Sequence, residues 1–395
     1  MTRQLTMGVI GTSFKENEYR LPIHPEHFEK IAPEFQSRIY LETGYGERFP
    51  GSFDTSGFGG TMSREDLFKK CDIILLAKPC PDDFPYFREG QVLWGWPHCV
   101  QGAAITQTGI DKKMTFIAWE EMHQWRERKD GPPVWIVHTF HKNNELAGYC
   151  STLQALQLIG FSGHYGPARK AAVISFGSTA QGACYALQAM GINQVTVFKQ
   201  RPYRDLVYQI PTLDYRQFKP AAPGSREAIA ENGEGKAVPM IDELAQYDII
   251  VNCILQDTSN PIDFVGVDEI DRLKPGCLII DVSCDEGMGF SFAKPTSFEN
   301  PTFKVGQDIT YYAVDHSPSY LWNSSTHEIS TALLPYIPAV MAGPDAWDEN
   351  LTIKKSIEIR DGIIQNSKIL DFQNREETWP HKVNQSESHN PDNNL

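Results

Sequence analysis

Continuous apolar runs recur along the first third of the chain. Asp72–Ala77, Val92–Trp96 and Met114–Trp119 are apolar nearly throughout, which predicts strands buried on both faces, as in a parallel sheet covered by helices. A Ser-x-x-Asp capping pattern that starts at Ser63 predicts a helix before the first of these runs. This recurrence of strand, loop and helix predicts a first α/β unit.

The middle of the chain repeats the alternation. Asn144–Ile159 has apolar residues near helical spacing, which predicts a long connecting helix that ends at Gly160. A strand over Ala171–Phe176, a glycine-containing turn, a helix over Ala183–Met190 and a strand over Val195–Phe198 follow. Together they have the length of a βαβ module, so a second α/β unit is predicted here.

Two stretches lack these patterns. Proline and glycine recur through Pro202–Pro239, which predicts an irregular insertion. After Gln365 the sequence is polar and rich in Asn, which predicts a mobile polar tail over residues 366–395. A single core rarely grows past about 250–300 residues. We therefore expect two domains in this chain of 395 residues.

Composition narrows the class of protein. The chain has 36 Lys and Arg against 50 Asp and Glu, and its net charge of −14 argues against a nucleic acid or an anionic membrane as partner. No apolar run approaches the roughly 20 residues that a membrane helix needs, and the N-terminus is too polar for a signal peptide. The eight cysteines form no CxxC pair, which favours reduced thiols and a cytoplasmic location. The HxxH pairs His24/His27 and His138/His141 lack further ligands nearby, so no metal is expected.

The turn after the strand Ala171–Phe176 is the first candidate site. A glycine turn between a buried strand and a helix can hold a pyrophosphate on backbone N–H groups. The candidate cofactor-binding residues are Gly177, Ser178, Thr179, Ala180, Gln181 and Gly182. The alternative interpretation is a tight structural turn, because glycines are missing where Ser175 and Ala180 stand.

The end of the next strand bears on the type of cofactor. An NAD site usually has Asp or Glu there, to bind the ribose 2′-hydroxyl. Here Lys199 and Arg201 stand instead, and two cations suit the 2′-phosphate of NADP. The pattern therefore favours NADP(H) over NAD(H). The alternative is that both are ordinary surface charges.

A third group of candidates lies after the strands of the first unit. Arg20, Lys78 and His98 are expected on neighbouring loops, at the edge of a parallel sheet where ligands bind. Arg can hold a carboxylate with two hydrogen bonds, Lys can polarise a carbonyl, and His can transfer a proton near neutral pH. These residues predict a site for an anionic substrate.

Two further loops carry acidic residues that could border a nicotinamide. Asp285 follows the predicted strand Cys277–Val282, and Asp315 with His316 precedes the second long helix, Ser324–Tyr336. For Asp281, at the end of the same strand, capping of a turn is the alternative interpretation.

Several segments, taken in their order, resemble the alanine dehydrogenase/pyridine nucleotide transhydrogenase superfamily. They are Glu18-Tyr-Arg-Leu-Pro22, Leu41-Glu-Thr-Gly-Tyr-Gly46, Leu76-Ala-Lys78, Phe87–Gln91 with Gly95-Trp-Pro-His98, Ala180–Ala183, Ile280-Asp-Val282 with Asp285, and Asp315-His-Ser-Pro318. Within the superfamily they look most like the carboxyethylornithine synthases, with the opine-forming, saccharopine dehydrogenase-like enzymes as a related case. The resembling segments span most of the chain.

The resemblance implies an α/β fold of two Rossmann-like domains with parallel sheets. The cofactor domain is inserted into a split substrate domain. The expected substrate (catalytic) domain comprises residues 1–145 plus 320–365. Residues 146–319 are expected to form the dinucleotide-binding domain, which contains the insertion at 202–239.

The resemblance also implies roles for the candidate residues. Arg20 and Lys78 would hold a 2-oxo acid, with Asp315 and His316 as further substrate-binding residues. His98 would be the acid/base, and Asp285 would lie beside the nicotinamide.

The implied reaction is an NADPH-dependent reductive condensation. A pyruvate-like 2-oxo acid and the amino group of an ornithine- or lysine-like amino acid form an imine, and its reduction gives an N-carboxyalkyl amino acid. One alternative is an alanine-type amino-acid dehydrogenase that uses ammonia, and another is a non-catalytic nucleotide-binding protein. The expected partners are small molecules, and the apolar helices favour a homo-oligomer.

Overall fold

The chain forms two compact units. The structure, a computed structural model, describes residues 4–202, 209–256 and 260–384. One unit combines the residues up to Phe140 with those from Thr326 onward, and the other comprises His141–Ser325. The second unit is thus inserted in the chain between two parts of the first. This confirms the predicted fold class, an α/β protein of two domains with one inserted into the other.

Both units are built from short strands and helices. The strands are β1 (Met7–Val9), β2 (Ile39–Glu42), β3 (Gly60–Met62), β4 (Ile73–Leu76), β5 (Val92–Gly95), β6 (Thr115–Ala118), β7 (His123–Arg126), β8 (Val134–His138), β9 (Lys170–Ile174), β10 (Gln194–Lys199), β11 (Asp214–Pro220), β12 (Ala228–Glu231), β13 (Ala237–Pro239), β14 (Ile249–Asn252), β15 (Asp263–Val265), β16 (Leu278–Asp281), β17 (Gly289–Phe290), β18 (Thr302–Val305), β19 (Ile309–Tyr312), β20 (Ile357–Arg360) and β21 (Ile363–Ile364).

Most of the helices are short. They are α1 (Pro33–Gln36), α2 (Arg64–Lys70), α3 (Ala103–Asp111), α4 (His141–Leu158), α5 (Ser178–Ala189), α6 (Met240–Leu244), α7 (Trp322–Leu333), α8 (Ile337–Ala342), α9 (Pro344–Glu349), α10 (Leu351–Ser356) and α11 (Ser367–Gln373). Short 3-10 helices lie at Pro25–Lys30, Pro81–Tyr86, Trp119–Glu121, Val267–Arg272, Ser317–Leu321 and Leu334–Tyr336.

The first unit is organised around a sheet in the order β21-β20-β6-β5-β4-β1-β2-β3. The strands from β6 to β3 in this order run parallel, whereas β20 and β21 are antiparallel additions at one edge. Numbered within the unit, the parallel strands follow the order 3-2-1-4-5-6 of dinucleotide-binding sheets. The order reverses between β1 and β4, so the carboxyl ends of the central strands border a crevice where such folds bind ligands.

The second unit repeats this order. Its sheet runs β13-β12-β11-β10-β9-β14-β16-β19-β18. The six strands from β11 to β19 are parallel and again follow 3-2-1-4-5-6. Antiparallel strands extend the sheet at both edges. The order reverses between β9 and β14, which places the glycine turn after β9 at the ligand-binding edge of this sheet.

Burial on both faces explains the continuous apolar runs. In β4, Ile73 and Leu75 pack into the core on one face of the sheet, whereas Ile74 and Leu76 pack into the core on the other. Because successive side chains of a strand point to opposite faces, a strand covered on both sides needs apolar residues throughout. The parallel strands β5 and β6 of this sheet, and β14 and β16 of the second, are likewise buried at every position.

The predicted irregular insertion at 202–239 is wrong over its described second part. Residues 214–239 form β11, β12 and β13, which continue the central sheet outward from β10. These strands lie toward the edge of the sheet, and only one residue of β11, Phe218, is buried. A strand near the edge of a sheet needs few apolar positions, so its sequence shows little of the pattern that predicts a strand. The frequent proline and glycine residues therefore led to the prediction of irregular structure. Residues 203–208 lie outside the described residues.

The prediction of a mobile tail is also wrong for residues 366–384. This segment contains α11, and it buries Ile369, Arg375 and His381 in the first unit. The segment is held by hydrogen bonds of its polar side chains rather than by a long apolar stripe. Its polar composition therefore gave the wrong prediction of a mobile tail. Residues 385–395 lie outside the described residues. Among the described helices, none combines the length and apolar character needed to cross a membrane.

Candidate active site and cofactor site

Two of the predicted catalytic side chains meet in the first unit. Lys78 follows β4 and His98 follows β5, and these neighbouring parallel strands end at the same edge of the sheet. The Lys78 Nζ and His98 Nε2 atoms are 3.1 Å apart, within hydrogen-bonding distance. The two side chains that the sequence placed on neighbouring loops therefore form a direct pair.

This pair fixes the tautomer of His98. An ammonium group can only donate hydrogen bonds, so Nε2 of His98 must be the acceptor. The proton of the neutral imidazole then lies on Nδ1, which is 3.9 Å from the Glu120 Oε1 atom. If a ligand oxygen took the hydrogen bond of Lys78, the lone pair on Nε2 would be able to accept a proton.

Glu120, which the sequence analysis did not single out, contacts the backbone of His98. Its Oε1 atom accepts the backbone N–H of His98 at 2.6 Å. Burial and the nearby charge of Glu358 raise the pKa of the Glu120 carboxyl well above its usual value. A signal was present in the chain, because Glu120 follows β6 just as His98 follows β5, and β5 and β6 are parallel neighbours.

His98 also has an unusual backbone. Its φ angle is +51°, in the left-handed region that side-chain-bearing residues seldom adopt. Such a conformation persists where the surroundings over-determine it, and it is frequent at functional sites. The hydrogen bond to Glu120 supplies one of these constraints.

Arg20 is held by a carboxylate of the chain itself. Its Nε and Nη2 atoms donate to the two oxygens of Glu18 at 2.8 and 2.5 Å, and both side chains are buried. The guanidinium also lies over the Trp96 ring, 5.4 Å from the ring centre. Burial alone would raise the pKa of Glu18, but the charge and hydrogen bonds of Arg20 hold it below its usual value. Glu18 thus fixes the orientation of the guanidinium.

The two glycines of the turn in the second unit, Gly177 and Gly182, have different surroundings. Gly177 caps the N-terminus of α5, and a Cβ atom built there would meet nothing within 4 Å. Gly182 lies inside α5, where a Cβ atom would come within 1.8 Å of the Glu145 carbonyl oxygen on α4. Gly148 on α4 has the same relation to the Thr179 carbonyl oxygen, also at 1.8 Å. Gly177 therefore leaves room for a ligand, whereas Gly182 allows two helices to touch.

The remaining residues of the turn fit a phosphate site through their backbone. Ser178 and Thr179 open α5, and the first N–H groups of a helix have no partner within it. These groups and the helix dipole suit an anion. Ala180 is fully buried, so it offers no side chain to a ligand. Gln181 N–H closes the first turn on the Gly177 carbonyl at 3.0 Å. The turn thus fits the pyrophosphate of a dinucleotide.

The two cations after β10 differ in their surroundings. Lys199 is buried, and its Nζ atom donates to the Arg201 carbonyl oxygen at 2.7 Å. This bond ties down the loop that carries Arg201, whose side chain is exposed. Lys199 therefore contacts its own loop, whereas Arg201 presents an exposed side chain.

The acidic loops of the second unit also divide into two kinds. Asp281 is fully buried and accepts hydrogen bonds from Tyr311 Oη at 2.7 Å, and from Asn252 Nδ2 and Cys284 N–H at 3.0 Å each. Burial raises the pKa of Asp281 to about 6, although these hydrogen bonds lower it. Asp281 thus anchors the turn. Asp285, four residues on, is half-buried, and burial raises its pKa.

Asp315 and His316 form a pair after β19. The His316 Nδ1 atom lies 2.7 Å from the Asp315 Oδ1 atom. His316 is buried against the Phe298 ring, whereas Asp315 is exposed. The exposed carboxylate is the member of the pair that a ligand could reach.

The chain matches two family models of known proteins. The family model described as alanine dehydrogenase/PNT, N-terminal domain, matches residues 10–131. The model described as alanine dehydrogenase/PNT, C-terminal domain, matches residues 170–367, half of the chain. The chain belongs to this family. The resemblance seen in its motifs is thereby confirmed.

Individual members of the family show the same relationship. The chain is 30% identical to an N(5)-(carboxyethyl)ornithine synthase of Clostridium botulinum, over 81% of this chain and 90% of that protein. It is 22% identical to an alanine dehydrogenase of Mycobacterium tuberculosis, over 83% of this chain and 85% of that protein. A solved L-alanine dehydrogenase has the same fold, with a TM-score of 0.71 at 17% identity, and covers 93% of this chain and 99% of its own.

These relationships set the class of chemistry. Members of the alanine dehydrogenase/PNT family use pyridine nucleotides, and the related enzymes act on amino acids. The chain is accordingly an NAD(P)H-dependent oxidoreductase that acts on CH–NH bonds, and its substrates are small molecules.

Proposed function

We propose that this enzyme condenses a 2-oxo acid with the amino group of an amino acid and reduces the resulting imine to an N-carboxyalkyl amino acid. The observation that carries the proposal is the Lys78–His98 pair at the ligand-binding edge of the first sheet. It is supported by the 30% identity to a protein named N(5)-(carboxyethyl)ornithine synthase. A pyruvate-like oxo acid and an ornithine- or lysine-like amine are the proposed substrates.

The side chains of the first unit supply the acid–base chemistry. Lys78 donates to the carbonyl oxygen of the oxo acid and makes its carbon more electrophilic. His98 accepts a proton on Nε2 while the amine attacks, and returns it to the hydroxyl that leaves as water. Glu120 accepts the backbone N–H of His98 and so holds the imidazole in position for these proton transfers. Arg20, oriented by Glu18, is proposed to face the carboxylate of the oxo acid.

The second unit is proposed to hold the cofactor as NADP(H). The backbone of residues 177–181 would bind the pyrophosphate, and Arg201 would bind the ribose 2′-phosphate, with Lys199 holding its loop. The reduced nicotinamide supplies a hydride when it is bound. Asp285 is proposed to lie beside this ring, and Asp315 with His316 to contact the amino-acid substrate.

A substrate-requirement assay tests the reaction. The full chain is mixed with pyruvate and either NADPH or NADH, and the loss of reduced nucleotide is followed without amine, with ammonium, or with ornithine or lysine. We expect oxidation of NADPH only when both oxo acid and amino acid are present, and a product whose mass equals the amine plus the carboxyethyl group. Turnover with ammonium alone would indicate an alanine-type dehydrogenase instead. Nucleotide binding without any turnover would indicate a non-catalytic protein.

Substitution of His98 tests the proposed acid–base group. His98→Ala should lower kcat by about 100-fold, because it removes a general acid–base group. Nucleotide affinity should not change, because the proposed cofactor residues all lie in the second unit. His164→Ala, which removes an exposed histidine of the second unit, is the matched control. Full turnover by His98→Ala would remove His98 from the mechanism.

A further inference from the structure

We propose that Gln373, near the C-terminal end of the chain, is a positioning residue for His98. The inference rests on the proposed function, in which His98 transfers protons. Gln373 ends α11 and lies 275 positions after His98 in the sequence, in the segment whose composition is that of a mobile tail. Its side chain contacts the backbone of the two residues that directly follow His98.

The contact is a clamp on consecutive carbonyl groups. The Gln373 Nε2 atom donates to the Cys99 carbonyl oxygen at 2.6 Å and lies 3.2 Å from the Val100 carbonyl oxygen. It is also 3.3 Å from the Thr106 Oγ1 atom on α3. Thr106 Oγ1 in turn donates to the Cys99 carbonyl oxygen at 2.9 Å. Gln373 thus joins the loop after His98 to the first half of α3.

The orientation of the Gln373 amide is set by its other partner. Its Oε1 atom accepts Arg375 Nε at 2.6 Å. Since a guanidinium only donates, the oxygen of the amide must face Arg375 and the NH₂ group must face the carbonyls of the loop. Arg375 is buried and also donates to Gln107 Oε1 at 2.8 Å and to the His381 carbonyl oxygen at 3.0 Å. The clamp is therefore preorganised.

The loop needs such support because of the conformation of His98. A residue with φ of +51° relaxes toward negative φ unless its neighbours hold it. Glu120 holds the loop at the N–H of His98, and Gln373 holds it at the next two carbonyls. Between these two attachments lies the Cα atom from which the imidazole projects toward Lys78. Loss of either attachment shifts the imidazole relative to its proton partners.

Two substitutions separate this role from simple folding. Gln373→Leu keeps the volume of the side chain and removes its donors. Gln373→Glu keeps the acceptor for Arg375 and sets a carboxylate oxygen against the loop carbonyls. Gln365→Leu is the matched control, because the Gln365 side chain belongs to the same C-terminal segment but donates to the Ile363 carbonyl oxygen, away from the loop.

Turnover gives the first measurement. A misplaced catalytic group can lower a rate by roughly 100-fold, so we expect both Gln373 variants to lower kcat by about 10- to 100-fold, with the KM for the nucleotide unchanged. In a His98→Ala background Gln373→Leu should cause no further loss, because the residue acts through His98. Wild-type kcat in both Gln373 variants, or an equal loss in the His98→Ala background, would overturn the proposal.

Amide hydrogen exchange gives a measurement that does not depend on activity. A peptide covering residues 97–106 should exchange faster in both Gln373 variants than in the wild type or in Gln365→Leu, with unchanged exchange in the second unit. Unchanged exchange in this peptide would overturn the clamp even if kcat falls. If His98→Ala alone retains full turnover, the proposed function fails, and the exchange result still decides whether Gln373 holds the loop.

Discussion

The contact between α4 and α5 allows the two roles of the glycine turn to be tested separately. The perturbation is Gly182→Ala, which adds one methyl group where α5 lies against the backbone of α4. The new Cβ atom would be 1.8 Å from the Glu145 carbonyl oxygen, 2.7 Å from its carbon and 3.0 Å from the Tyr149 nitrogen. All three atoms belong to backbone, so no side chain can rotate away to make room.

The magnitude follows from these distances. An ordinary contact of this kind begins at 3.4 Å, so the helices must part by about 1.6 Å. Overpacking of a core lowers the free energy of unfolding by up to about 3 kcal/mol, whereas the higher helix propensity of Ala raises it by about 1 kcal/mol. We therefore expect the free energy of unfolding to fall by about 2 kcal/mol. The start of α5 should move as well, so nucleotide affinity should also fall.

The control for this prediction is Gly177→Ala. Its φ of −81° is open to any residue, and its Cβ atom would meet no neighbour within 4 Å. The loss of stability should stay below about 1 kcal/mol, the usual cost of an alanine at this capping position. Nucleotide affinity should nevertheless fall, because the methyl group enters the space proposed for the pyrophosphate.

Urea denaturation and titration with nucleotide measure the two quantities in parallel. Gly182→Ala should shift the denaturation midpoint and weaken binding, whereas Gly177→Ala should mainly weaken binding. Wild-type stability in Gly182→Ala would refute the packing argument. Undiminished nucleotide affinity in Gly177→Ala would refute the assignment of this turn to the cofactor.

Two further predictions concern stability. Ser175 has a φ of +85°, so Ser175→Gly should raise the free energy of unfolding by about 1 kcal/mol; an unchanged urea midpoint would contradict the inferred strain. Burial raises the pKa of Glu358 above its usual 4.5. The folded state then binds more protons than the unfolded state above that pH, and stability falls as the pH rises through this window. Glu358→Gln should therefore lose less stability than the wild type between pH 5 and pH 8 in urea titrations, and an equal loss in both proteins would show that Glu358 is not the cause.

The sequence analysis predicted the central strands of both sheets well, and the strands at or outside the edges of the sheets poorly. A strand such as β4 lies between two cores, so every position is apolar and the run is conspicuous. Edge elements carry no such signal. The hairpin of β7 and β8 exposes Trp135 and Ile136, and its residues follow neither a buried nor a helical pattern that could be recognised. Its existence depends on pairing between two strands, which no single stretch of sequence encodes.

The residues of the candidate site could likewise be predicted only in part from the sequence. Lys78 and His98 were found because the ends of parallel strands share one edge, a rule that needs only the strands. Glu18 and Glu120 were missed because their roles depend on which partner they face. The cofactor-binding role of Lys199 stays a prediction, and its ammonium donates to the Arg201 carbonyl oxygen of its own loop. Charge alone does not show whether a side chain faces solvent or the chain itself.

The antiparallel strand β20 has a consequence for the order in which the chain folds during synthesis. It pairs Ile357 with Ile117 of β6, although the whole second unit lies between them in the chain. A ribosome therefore releases the complete second unit before the first can finish its sheet, and domains fold as units when they emerge. Until then β6 is an open edge, the kind of surface that pairs with other nascent chains. We expect ribosome-bound chains that stop before Ile357 to carry a folded second unit and to recruit chaperones to the unfinished first.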